Sequence, residues 1–347
     1  MSTASRQRSR HLVLSLPRGG SLRGTRRPLW AGAITALSCL VLLALGVFTG
    51  TYHIGTAEVF DVLGGGGSAM DRFIVVGQRM PRVCAALLVG AGLGLAGSLF
   101  QSLSRNPLGS PDIIGFTTGS TTGALAALLI GGGTSLGAGG GALLGGLATA
   151  LLVHVLSAMR GAVGGRLIVT GIAVGAMLAS VNDFLITRAD IESAESAKAW
   201  TFGSLNAITW PHVVPAAAAF PLLLAATVVL ARPLQMMSMG DDTAAALGVR
   251  VDRIRALTLL VGVAWTAVAI AVAGPIGFLA LAAPQLARRL ARSGGVPVFT
   301  AALMGALLLA CADFAGQRLL APFQIPVGLV TGALGGLYLM WLLYRKV

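Results

Sequence analysis

The sequence predicts an all-α, polytopic membrane protein with ten transmembrane helices. Three observations predict it. Only 11% of the 347 residues are charged and 55% are hydrophobic, whereas a soluble domain carries about 25% charged residues. Apolar runs of about twenty residues recur along the whole length, as a hydrocarbon core of about 30 Å requires. The basic residues gather in alternate connections between those runs, which is the signature of a chain threaded back and forth through a bilayer.

Taken in order, the chain opens on "SRQRSRHLVLSLPRGGSLRGTRRPLW", which resembles the basic start of a signal segment. The apolar run that follows, 31–50, is longer than a signal core and lacks a small-x-small cleavage site. Residues 1–28 are therefore predicted to be a basic, disordered cytoplasmic tail, and 29–347 a single membrane domain. Hydropathy places the spans at roughly 29–50, 82–103, 113–131, 142–159, 167–187, 213–231, 256–274, 275–288, 298–316 and 326–344. Small residues recur at four-residue spacing in "GAGLGLAGS" (90–98) and "GALGG" (332–336), a pattern that lets helices approach closely in lipid. Two places break the apolar pattern at membrane depth. "AGPIGFLALAAPQLARRL" (273–290) carries Gly-Pro and then Pro284, and "RNPLGSPDIIG" (105–115) enters the third span through two prolines. Such breaks line the path in many transporters, or are turns satisfied by neighbouring helices.

With the N-terminus placed in the cytoplasm, inner connections hold 19 of the 25 basic residues and four of the 12 acids. The formal charge of +13 is thus an orientation signal and not a nucleic-acid footprint. Cys39, Cys84 and Cys311 lie singly in apolar runs, so neither a metal site nor a disulfide set is indicated. A phosphate-binding loop of the G-x-x-x-x-G-K-[ST] type is excluded, because Lys198 precedes Ala and Lys346 precedes Val. His154 reads as a core residue on an apolar face, and Asp183 and Asp313 fall near outer span ends, which gives little support to ion-coupled transport. No nucleophile–base pair is visible, so the chain is not read as an enzyme.

One connection stands out. "GDDTAAALGVRVDRIR" (240–255) holds three Asp and three Arg between charge-free stretches. Asp241 and Asp242 suit a helix start, where they oppose the dipole, and Gly248 suits its stop. A second short helix is predicted from Val251. Two short helices at the inner surface, about 233–255, form a knob of the kind that seats in a partner's groove.

The spacing of Asp242, Thr243, Ala244 and Gly248 resembles the E-A-A-x-x-x-G loop of bacterial ABC importer permeases. More specifically, nearly everything after residue 55 is similar to the iron-siderophore and cobalamin permease family. The stretches that carry the likeness are "RMPRVCAALLVGAGLGLAGSLFQSLSRNPLGSPDIIGFTTGS" (79–120), "AWTFGSLNAITW" (199–210), "GDDTAAALGVRVDRIRAL" (240–257), "AVAGPIGFLALAAPQLARRL" (271–290) and "ADFAGQRLLAPFQIPVGLVTGALGG" (312–336). The resemblance implies the ten-span fold of the type II ABC importers. It implies that the chain binds no cofactor itself, with ATP and Mg carried by two cytosolic ATPase subunits. It also implies a second permease, the same chain or a homologue, and an external siderophore-binding protein. The cargo would be a ferric siderophore, with cobalamin or haem as the alternative within the family, and an ion-coupled secondary transporter as the alternative outside it.

By the same resemblance, Asp241, Asp242, Thr243, Ala244, Leu247, Gly248, Val249, Arg250 and Arg253 would engage the ATPase. Arg79 and Arg82 would dock the binding protein, as would Arg318, although the family arginine aligns with Gln317. Asn182, Asp183, Asn106 and Pro107 are candidates for the pathway. Two departures, Gln285 in "PQLAR" and Gln324 in "QIPVG", are closer to the branch serving catecholate-type ferric siderophores.

Overall fold

The computed structural model describes residues 11–15, 21–112, 115–131, 135–158, 165–292, 296–320 and 323–344. Within the basic tail, β1 (His11–Ser15) pairs antiparallel with β2 (Ser21–Thr25). Everything else that is regular is helical: α1 (Arg26–Phe48), α2 (Thr56–Leu63), α3 (Ala69–Arg72), α4 (Met80–Ser104), α5 (Phe116–Leu129), α6 (Ser135–Ala158), α7 (Gly165–Arg188), α8 (Ile191–Thr201), α9 (Trp210–Met237), α10 (Asp241–Ala246), α11 (Val251–Ala273), α12 (Leu279–Ala291), α13 (Val298–Gly316) and α14 (Val327–Tyr344).

Each predicted span falls on one of these helices, but length does not support ten crossings equally. Among the described residues, seven helices are long and apolar enough to cross a membrane. The helices α5 and α12 have 14 and 13 residues, about 21 and 20 Å of rise, short of a 30 Å core. In the second case the cause is local. Gly274 takes a left-handed φ of +70° and Pro275 follows, so α11 stops and the chain runs irregularly to Phe278 before α12 begins. The predicted span 275–288 shrinks accordingly.

Helix α4 forms the centre of the bundle: 83% of its apolar window is buried, against 22% for α1 and α9. Its glycines make this possible. A Cβ at Gly90 or Gly94 would stand 2.4 or 2.2 Å from the carbonyl oxygens of Gly305 and Ala301 on α13, so only bare backbone fits at that crossing. Close backbone packing replaces the hydrophobic drive that lipid does not supply. The second small-residue motif works differently, since Gly332 and Gly336 face open space and only Gly335 packs, against Phe278. On the other flank of α4, Trp265 of α11 fills the space over Gly92, stacks edge-on with Phe220 at 5.0 Å and donates from Nε1 to Thr227 Oγ1 at 2.9 Å.

Just before α4, Phe73–Arg79 winds as a π-helix. Pro81 follows within the first turn of α4, and Met80 N–H reaches back five residues to Val75 O. His154 corrects an expectation: it is exposed on α6 beside Leu151 and Val155, because that face of α6 points out of the bundle and not into its core.

Candidate functional site

Charged side chains collect at the two ends of the bundle. The first end carries the 240–255 segment. Gly240, at φ +120°, turns the chain out of α9, and α10 starts with Asp241 and Asp242 in its first turn. Gly248 ends it at φ +86°, with its N–H on Ala245 O at 2.9 Å and Val249 N–H on Ala244 O at 3.0 Å. Space around the Gly248 α-carbon is open, so it is backbone conformation that selects glycine there. The predicted second short helix is not separate. Nothing in 251–273 breaks a helix, and Val251 begins α11, which continues without interruption to Ala273.

The predicted coupling residues divide into two groups. Asp242, Thr243, Leu247, Gly248, Arg250 and Arg253 are exposed, with Leu247 at 61%. Ala244 is fully buried in a cluster with Leu99, Leu234 and Trp265, and anchors the knob from below. Asp241 is turned inward: it pairs with Arg105 at the end of α4 and with Arg255 of α11 at 2.9 Å, while Val249 is half-buried. The knob is therefore clamped to two of the bundle's best-buried helices.

From Arg105 the contacts continue into the helix break. Pro107 O accepts from Gln285 Nε2 at 2.7 Å, and Gln285 Oε1 accepts from Tyr338 of α14 at 3.1 Å. Gln101 Nε2 donates to Leu281 O at 2.9 Å, and its Oε1 accepts from Arg288. Around these groups lies a cavity of about 330 Å³ that includes Arg105, Asn106, Pro107, Ser238 and Arg288 in its walls.

The opposite end is organised around an ion pair. Arg82 meets Asp313 in a fork, Nη2 to Oδ1 at 2.8 Å and Nε to Oδ2 at 3.1 Å, and its Nη1 donates to Gln324 Oε1 at 2.8 Å. Gln317 Nε2 completes the carboxylate at 2.7 Å. The two charged side chains are only 15% and 5% exposed. Arg79 donates to the carbonyls of Val47 and Tyr52, tying down the chain after α1. Arg318 is exposed, lies over the Phe314 ring at 3.6 Å and donates to Thr49. Arg79, Arg82, Gln317 and Gln324 help to line a cavity of about 660 Å³.

The four pathway candidates do not form one group. Asn182 and Asp183 share a cavity of about 410 Å³ with Thr121, Thr187 and Lys198, and Asn182 Oδ1 is buried without a partner. Asn106 and Pro107 belong to the knob end instead. Sequence reading missed Gln101, Arg255 and Arg288 as site residues, and missed Asp313 as the partner of Arg82; that last contact spans 231 positions, and no local spacing signals it. Among the described residues, no three His, Cys, Asp or Glu side chains gather to hold a metal ion.

The profile of the FecCD transport family matches residues 38–345. The chain belongs to that family. The ferric enterobactin transport system permease protein FepG of Escherichia coli K12 is 44% identical over 93% of this chain and 98% of its own length. The iron(3+)-hydroxamate import system permease protein FhuG of Bacillus subtilis is 34% identical, covering 92% and 98%. Among solved structures, a chain from the inward-facing conformation of a transporter assigned to the metal-chelate ABC type superposes with a TM-score of 0.82, at 25% identity, over 91% of this chain and 99% of its own. This FecCD chain is thus an integral membrane protein with the type II ABC importer permease fold.

Proposed function

We propose that this FecCD chain is the transmembrane permease subunit of an ATP-driven importer that carries a ferric siderophore across the bacterial cytoplasmic membrane. It pairs with a second permease, receives its cargo from an external binding protein and is driven by two cytosolic ATPases. The knob end faces the cytoplasm and the Arg82–Asp313 end faces outward, in keeping with the charge asymmetry of the connections. The observation that carries this reading is the exposed, glycine-stopped helix α10, clamped by Asp241 to Arg105 and Arg255, on a chain whose two lysines cannot form a phosphate-binding loop. Relatives named for enterobactin, hydroxamate and dicitrate transport support iron as the cargo.

Mechanically, the ATPases move the paired knobs when they bind ATP. The displacement reaches α4 through Arg105 and α12 and α14 through Pro107, Gln285 and Tyr338. A rigid-body switch of this kind needs contacts that differ between its states. Asn182 and Asp183 contribute polar groups to the pathway on the α7 side.

Uptake of radiolabelled cargo in cells with and without the gene tests the reading. The panel offers ferric catecholate, ferric hydroxamate, cobalamin and haem. Loss of one ferric class alone is the expected result. Loss confined to cobalamin or haem would overturn the iron assignment and keep the machine.

A further inference from the structure

The cavity beside the knob has an unbalanced charge. Asp241 is shared between Arg105 and Arg255. Arg288 meets no carboxylate among the described residues; the group it bonds is the neutral Gln101 Oε1. That partner is built in. Gln101 is 3% exposed, and its Nε2 is fixed on Leu281 O at 2.9 Å, which turns its oxygen toward Arg288. The remaining polar lining, Ser102, Asn106, Gln235 and Ser238, is uncharged. Two guanidinium groups therefore line a cavity of about 330 Å³ whose wall holds no carboxylate, and the acid that Arg105 meets, Asp241, is shared with Arg255. A half-buried guanidinium favours a carboxylate or phosphate partner with which it can form paired hydrogen bonds.

We propose that this cavity receives an acidic side chain of the ATPase, held between Arg105 and Arg288. The proposal rests on the reading that α10 seats the ATPase, and adds a second, electrostatic contact to it. Position favours a cytosolic protein over a lipid headgroup. The cavity lies where the end of α4 meets α9 and α12, beside the residues that lead into α10. Gln235 and Ser238 in its wall are only a few residues from α10, so a partner seated on Leu247 covers the opening as well. Charge complementarity at such a contact adds a salt-sensitive contribution to affinity.

The test measures affinity of the purified ATPase for the permease in lipid vesicles, as a function of salt. Arg288→Gln is expected to weaken binding about tenfold and to flatten the salt dependence, with Arg288→Lys falling between the two, because it keeps the charge and loses the paired hydrogen bonds. Ser238→Asp, which places an anion in the cavity and leaves Arg288 intact, is expected to weaken binding as well. Arg288→Glu is expected to lose binding and to regain it with one charge-reversed acidic residue on the ATPase. Wild-type affinity and salt slope in both Arg288→Gln and Ser238→Asp would overturn the proposal. It would also be overturned if the defect of Arg288→Gln appeared only in vesicles containing phosphatidylglycerol and not in pure phosphatidylcholine, because the occupant would then be a headgroup. Gly248→Val serves as the separate control. If it loses binding while the cavity variants do not, the cavity claim alone fails; if it too binds normally, the knob reading fails.

Discussion

The two ends of this bundle use arginine in opposite ways. At one end, Arg82 is consumed internally: Asp313, Gln317 and Gln324 complete a network in which both charges are nearly buried. At the knob end, Asp241 holds Arg105 and Arg255, while Arg250 and Arg253 stay exposed and Arg288 meets no carboxylate among the described residues. The Arg82 cluster pins α4 to α13 and closes on itself. The cluster at the knob is left open, as a surface awaiting a partner should be. Arginine count therefore says little about docking until each guanidinium's own-chain partner is known.

Substitutions can break this contrast in order of expected effect. Gly248→Val puts a β-branched residue at φ +86°, which strains the stop of α10; uptake of labelled siderophore should vanish while the protein still reaches the membrane. Asp313→Ala should act on stability instead. It leaves Arg82 without a counter-charge in a nearly buried site, a loss of about 3–5 kcal/mol in comparable cases, readable as a lower thermal midpoint in detergent. Equal midpoints for wild type and variant would mean that the Arg82–Asp313 network is not structural.

Arg318→Glu tests the Arg82 end more gently. Arg318 is exposed, so binding-protein affinity should fall by only about two- to fivefold, and less in high salt. The smallest effect concerns α8. Asp190 caps its start by accepting from Ser193 N–H at 3.1 Å, and that hydrogen bond holds its carboxyl below the usual carboxylate range. A depressed folded pKa contributes stability that is present above the unfolded value and is lost as pH falls through the folded one. Protection of the Ser193 amide against exchange, relative to its intrinsic rate at each pH, should fall only in acid, and Asp190→Ala should remove that pH dependence.

Much of this was legible in the sequence, for physical reasons. Ten apolar runs fall on ten helices because hydropathy and length are local properties. The α10 stop at Gly248 was readable because left-handed backbone selects glycine. Crossing lengths were less so: "AGPIG" shows a break, but only the fold shows that α12 is left with 13 residues. The continuous α11 was missed because charges at 252–255 suggested a boundary where no helix breaker stands. The pairing of Arg82 with Asp313 and the uncompensated Arg288 arise from helices far apart in the chain. No spacing rule reaches them.

The central claim is that α10 seats the ATPase. A photo-activatable residue at position 247, exposed at the tip of the knob, tests it most directly in the assembled transporter. The account predicts a cross-link to the ATPase from position 247, and none from an equivalent probe at position 319, exposed at the opposite end. An assembled, active transporter in which position 247 cross-links only to lipid or to the second permease would contradict it.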